Sequence, residues 1–210
     1  MIRNSIPLWL KITYSAWMLI WVPTYCVYHG PANLLWLCDV ANFFVAAAIW
    51  LESPLLFSSQ AVSVLLIQVA WMIDYFGRML LGFHPIGGTE YMFDSAQPYW
   101  VRSLSLFHIF IPVLLLWAIW RLGHDRRGWH LQTGIAWLIL PLSFVAAAPE
   151  KNLNWLWAPF GIPQTLVSPP SYLLFCMFAY PLVIFWTTHR LLLWWVRRNG
   201  RPVLPVESPG

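Results

Sequence analysis

The stretch from Tyr99 to Arg121, YWVRSLSLFHIFIPVLLLWAIWR, decides how this chain folds. About 22 residues of predominantly apolar sequence cross a ~30 Å hydrocarbon core as an α-helix, and this run holds His108 and Arg102 within that length. Ionisable side chains inside a membrane helix are costly, so each calls for a partner or a function. The stretch therefore predicts a spanning helix and a polar site built around His108.

Composition extends the same reading to the whole chain. Of 210 residues, 60% are hydrophobic, only 10% are charged and sixteen are tryptophan, a balance far from that of a soluble domain and typical of a polytopic membrane protein. Apolar runs at 6–28, 33–51, 56–81, 129–148 and 171–196 join 99–121 to predict an all-α fold, a six-transmembrane-helix bundle forming a single domain over 1–198. The first run is read as retained, because it is too long for a cleaved leader and lacks a small-residue cleavage site. The basic, Pro-rich tail 199–210 is expected to be disordered. The net charge of +4 comes from Lys and Arg scattered at the ends of apolar runs, which argues for membrane topology and against a nucleic-acid surface.

Six spans place both termini on one side. Nine of the twelve Lys and Arg fall at that face, against Arg78, Arg102 and Lys151 at the other, so the positive-inside rule makes both termini cytoplasmic, in a plasma (inner) membrane. Cys26, Cys38 and Cys176 lie in apolar runs without CxxC spacing, which indicates neither a zinc site nor a disulfide framework and leaves a Cys26–Cys38 bridge open. Two segments stand out between the spans. The 82–98 loop, GFHPIGGTEYMFDSAQP, is rich in Gly, Pro and acids, and 149–170 combines prolines with Trp155, Trp157 and Phe160. Both should be ordered at the membrane surface, the second as an aromatic cover.

Depth brings the polar residues together. At 1.5 Å per residue from the outer ends, Cys38 and Asp39 lie at roughly 8 Å, Asp74 at about 11 Å and His108 at about 14 Å, with Arg78 and Arg102 above them. A cysteine, an imidazole and a carboxylate at one level are the parts of a nucleophilic triad: thiolate attack, histidine as base and then acid, carboxylate holding the tautomer. The expected catalytic residues are Cys38, His108 and Asp74. Arg102, Arg78, Asp39 and Asn154 are the expected substrate-binding residues, with an arginine placed for a head group or an oxyanion. The alternative is structural: Asp74 and Arg78 stand four residues apart, which suits an ion pair, and Ser105 is a second, weaker candidate nucleophile because a helical serine usually bonds its own backbone. His108 and His189 fall in opposite leaflets, which argues against haem. A metal set of His84, Asp74 and His108 has no ligand spacing behind it. No cofactor is expected, and the expected partner is membrane lipid.

Leu37-Cys38-Asp39-Val40-Ala41, Phe107-His108, Asn154-Trp155-Leu156 and Pro170-Ser171-Tyr172 resemble the bacterial YwaF-like membrane proteins and their eukaryotic relative, transmembrane protein 164. The likeness spans roughly residues 33–175. It implies a lipid acyltransferase using a cysteine and a histidine, which match Cys38 and His108 here. The chain departs from the pattern in having Trp36 where a histidine usually precedes the cysteine motif, and in lacking an extra span.

Overall fold

The computed structural model describes residues 5–204. Six helices make up most of them: α1 Leu8–Tyr28, α2 Leu37–Leu51, α3 Pro54–Leu81, α4 Tyr99–Leu122, α5 Gly128–Ala146 and α6 Pro169–Arg198. The helices α3 to α6 are long and apolar enough to cross a membrane, and large apolar side chains such as Leu138, Val145, Leu182 and Val183 stay exposed on their outer faces. The chain is a helical membrane protein. Of the other two, α1 is long enough but rich in Trp and Tyr, and α2 is a shorter apolar helix.

Local chemistry explains the helix starts and stops. Both α3 and α6 begin with proline at the first position, where its missing N–H costs nothing, behind a serine whose Oγ accepts from the third residue on: Ser53 from Leu56, and Ser168 from Ser171. The helix α3 ends on Gly82 at φ 81°, a left-handed cap suited to glycine. The helix α2 starts at Leu37 rather than near Asn33, because Pro31–Leu35 winds as a separate 3₁₀ turn. Lys11 Nζ meets Glu52 at 2.7 Å and fastens the start of α1 to the end of α2.

The helix α3 is the hub, packing against α2, α4, α5 and α6. Its first half buries Ser58, Ser59, Gln60, Ala61 and Ser63, small or hydrogen-bonding residues that let membrane helices approach closely. Gln132 on α5 donates to Ser63 Oγ at 2.8 Å and accepts from Gln60 Nε2 at 3.3 Å. On α6, Pro181 has no N–H to give the Met177 carbonyl, and Tyr180–Phe185 winds as a π turn. Trp137 Nε1 takes the Met177 carbonyl at 2.8 Å, and Trp129 Nε1 takes that of Pro181 at 3.1 Å.

The chain is not wholly helical. His124–Asp125 pairs in parallel with Val203–Leu204, and the His124 N–H donates to the Pro202 carbonyl at 3.1 Å. This corrects the expectation of a tail disordered from 199: up to Leu204 the chain turns back after α6 and docks on the α4–α5 linker. Residues 205–210 lie outside the described residues. All three cysteines are free, so Cys26 and Cys38 are not bridged.

Gly128 brings the start of α5 against the backbone of α3. A Cβ there would lie 2.8 Å from the Ser58 carbonyl carbon and 2.9 Å from the Ser59 nitrogen, both backbone atoms that cannot swing aside. Gly128→Ala should therefore destabilise the fold by about 1–3 kcal/mol, the usual cost of overpacking. Thermal unfolding in detergent measures it, and an unchanged midpoint would disprove the close crossing.

Candidate functional site

At the end of the bundle away from the start of α1 and the end of α6, a cavity of about 750 Å³ opens beneath the 82–98 and 149–168 segments, a volume that suits a small-molecule site. Its wall is largely aromatic, with Tyr25, Trp36, Trp71, Tyr91, Trp155 and Tyr180, and its polar groups include Cys38, Asp39 and His108. Lys151 and Glu90, both exposed, stand at the rim.

His108 is buried, with its ring stacked at 4.6 Å and 8° on Trp71. Its Nδ1 lies 2.8 Å from the Ser105 carbonyl. A carbonyl can only accept, so Nδ1 carries the proton and Nε2 of the neutral ring holds a lone pair. Nε2 has no hydrogen-bond partner among the described residues. Ser105 sits in a 3₁₀ turn, Leu104–Leu106 within α4, and its Oγ is 2.6 Å from Tyr25 Oη. Trp71 Nε1 donates to Tyr91 Oη at 3.2 Å, and burial pushes that phenol up from its ordinary range.

Cys38 and Asp39 stand in the first turn of α2. Asn154 sets that turn in place: its Oδ1 accepts the Leu37 N–H at 2.8 Å, and its Nδ2 donates to the Leu35 carbonyl at 2.9 Å and to Ser143 Oγ at 3.0 Å. Asn33 Nδ2 donates to Asp39 Oδ2 at 3.1 Å. The Cys38 thiol has its polar contact with Asp39 Oδ1, at 4.0 Å, and makes no hydrogen bond to His108. The Cys38 N–H is not taken by any oxygen among the described residues.

Asp74 is absent from this arrangement. Its Oδ1 accepts from the N–H groups of Ile86 at 2.8 Å and Gly87 at 2.7 Å, and its Oδ2 accepts from Thr89 Oγ1 at 2.5 Å and lies 2.9 Å from His84 Nδ1. The expected triad thus loses its carboxylate to the 82–98 loop, and the Ser105 carbonyl takes the orienting position on His108. The expected Asp74–Arg78 ion pair does not form either. Arg78 donates to the Gly82 carbonyl, and the buried Arg102 donates to the Met92 carbonyl at 2.6 Å and stacks on Tyr99 at 4.3 Å. Both arginines fasten loop backbone and neither lines the cavity, which corrects their reading as head-group ligands. Asn154 does line it, with its side-chain amide already engaged. His84 and Asp74 pair with each other but not with His108, and among the described residues no group of three His, Cys, Asp or Glu is placed to hold a metal.

The covering segment is tightly wound. Asn152, Asn154, Trp155 and Phe160 all have φ between 44° and 52°, a region that asparagine tolerates and bulky side chains seldom adopt. Trp155 and Phe160 meet with rings tilted, centroids 4.7 Å apart, over the cavity, while Trp157 lies flat on Phe144 at 4.4 Å. Lys151 Nζ donates to the His29 carbonyl at 2.8 Å, and burial followed by this lysine's charge lowers the His29 imidazole from its ordinary value.

Fold and site define a class: a helical membrane protein with an aromatic-walled cavity that holds a histidine, a cysteine and a carboxylate. No protein-family model, curated protein or solved structure matches the chain.

Asp74→Asn puts a donor amide among the N–H groups of Ile86, Gly87 and Thr89, at about 1–3 kcal/mol for each donor left unpaired. Hydrogen exchange at these three amides should rise and the 82–98 loop should become protease-sensitive. Unchanged protection would mean that Asp74 does not anchor the loop.

Proposed function

We propose that this protein performs acyl transfer or hydrolysis on a membrane lipid taken into the cavity, with Cys38 as acyl acceptor and His108 as base. The observation that carries the reading is the state of His108: Nδ1–H is committed to the Ser105 carbonyl, and Nε2 is unpaired in a cavity that Cys38 shares. The Cys38 thiol passes its proton to Nε2 as sulfur attacks the ester carbonyl carbon. The ester C–O bond then breaks, the imidazolium returns the proton to the departing alkoxide, and a thioester remains on Cys38. Water or a second lipid alcohol or amine, deprotonated by the same nitrogen, attacks the thioester and restores the thiol. The Cys38 N–H, which no oxygen among the described residues takes, is a candidate donor for the oxyanion. Asp39, with one side-chain donor from Asn33, has lone pairs left for a polar head group, and the aromatic wall suits the apolar part. The likeness to the YwaF-like proteins and transmembrane protein 164 points the same way at Cys38 and His108.

A binding role without chemistry is the second reading. It is favoured by the Cys38 contact to Asp39 rather than to His108.

A chloroacetamide bearing a long acyl chain tests the two. It should alkylate Cys38 in native membranes, and His108→Gln should slow that about 100-fold, in the range of general-base effects, while the melting midpoint changes little. Equal rates in both proteins would end the acyl-transfer reading and leave binding.

Topologically, the reading takes all six helices as spans, both termini as cytoplasmic and the cavity as opening outward in a plasma (inner) membrane. The charge asymmetry supports it. Thr165→Cys, on the exposed stretch before α6, should then react with an impermeant maleimide on intact cells. Reaction only after permeabilisation would reverse the orientation.

A further inference from the structure

At the opposite end of the bundle, the α4–α5 linker and the last turns of α6 border a second, open pocket, of about 590 Å³, lined by Arg126, Arg190, Arg197 and Arg198 with Leu193 and Trp194. Among the described residues no acidic side chain lines it. The neighbouring arginines are accounted for: Arg127 grips Asp125 through two nitrogens, at 3.1 and 2.9 Å, and Arg121 and Arg201 lie on the rings of Trp117 and Trp120. Among the described residues, Arg190 and Arg198 use only their faces, on Trp186 and Trp194, and not their N–H edges. Arg126 and Arg197 have no hydrogen bond, ion pair or ring contact among the described residues.

Four like charges gathered on one concavity repel one another unless an anion joins them, and guanidinium forks match phosphate oxygens. His124 is held down to about 4, by burial first and then by His189, while Asp125 opposes and Arg126 adds the smallest share. A helix end alone explains Arg197 and Arg198, which complement the α6 dipole; it does not explain why Arg126, from another element, faces the same space. We infer that this pocket is an anion site for a phosphate group, and that the group belongs to a lipid. Leu191 and Trp194, 51% and 58% exposed on α6, continue from the pocket onto the lipid-facing surface, where acyl chains would lie. The site stands apart from the cavity around His108 and does not rest on the reading of that cavity.

The test uses the full chain in detergent with phosphatidylglycerol or phosphatidylcholine added, and native mass spectrometry to count retained lipid. Wild type should retain the anionic lipid about tenfold better, and Arg126→Gln with Arg197→Gln should remove that preference, as expected for loss of charge-assisted hydrogen bonds. The charge-keeping pair Arg126→Lys and Arg197→Lys should retain part of it, which separates ligand loss from misfolding. Inorganic phosphate decides the source. If millimolar phosphate raises the melting midpoint of wild type but not of the Gln pair, and lipid is not retained selectively, the anion site stands with a soluble phosphate as occupant. Equal retention of both lipids by wild type with no response to phosphate would overturn the proposal, as would equal retention of phosphatidylglycerol by wild type and the Gln pair.

Discussion

Hydrocarbon offers no hydrogen bonds, so every polar group drawn into this bundle must find its partner within the protein. On α3 that constraint is met at Ser58, Ser59 and Ser63 and not at Gln68, whose buried side-chain amide has no partner among the described residues. The serines and Gln60 would be a liability on a lipid-facing helix; pressed against Gln132 and the start of α5 they become the contact that fixes how close the two helices stand. The tryptophans repeat the device where proline opens a helix, since Trp137 takes up the carbonyl that Pro181 leaves without a donor. Two halves of α3 thus do different work: small polar residues set the packing at one end, and Asp74 organises a loop at the other.

The cavity follows from that loop. With Ile86, Gly87 and Thr89 bound to one carboxylate, Tyr91 is brought over Trp71 and the floor beneath becomes a closed aromatic surface on which His108 lies flat. From the other side Asn154 holds the first turn of α2, and with it Cys38 and Asp39, through contacts made more than a hundred residues away in sequence. The chemistry-bearing residues are therefore carried on helices, while their mutual placement is set by two covering segments.

Much of this could be read from the chain. Long apolar runs gave the helices with boundaries close to those observed, because hydropathy and length are local properties. Simple depth counting put Cys38, Asp39 and His108 at one level, and all three line one cavity. It failed for Asp74, Arg78 and Arg102 for a shared reason: each is claimed by backbone groups of a loop that folds back on the helix ends, and backbone donors and acceptors leave no mark in the sequence. The same blindness hid the Ser105 carbonyl as the group that orients His108. Asn154 is legible as part of the Asn154-Trp155-Leu156 stretch and as an expected substrate-binding residue, but its use as a clamp on α2 depends on a left-handed backbone that nothing in the letters announces. The buried His124 and the docked residues up to Leu204 escaped because a two-residue parallel pairing has no periodicity to detect.

The π turn in α6 amounts to one residue more than a regular helix of the same rise would hold. Each residue advances an α-helix by about 100°, so everything after the turn is out of phase with everything before it by that angle. Cys176 and Tyr180 keep one phase; Thr188, His189 and the arginines keep another. Related chains that lack the wide turn would align with a single-residue gap between 180 and 185, and an alignment forced through without it would match the inward face of one protein to the lipid face of the other.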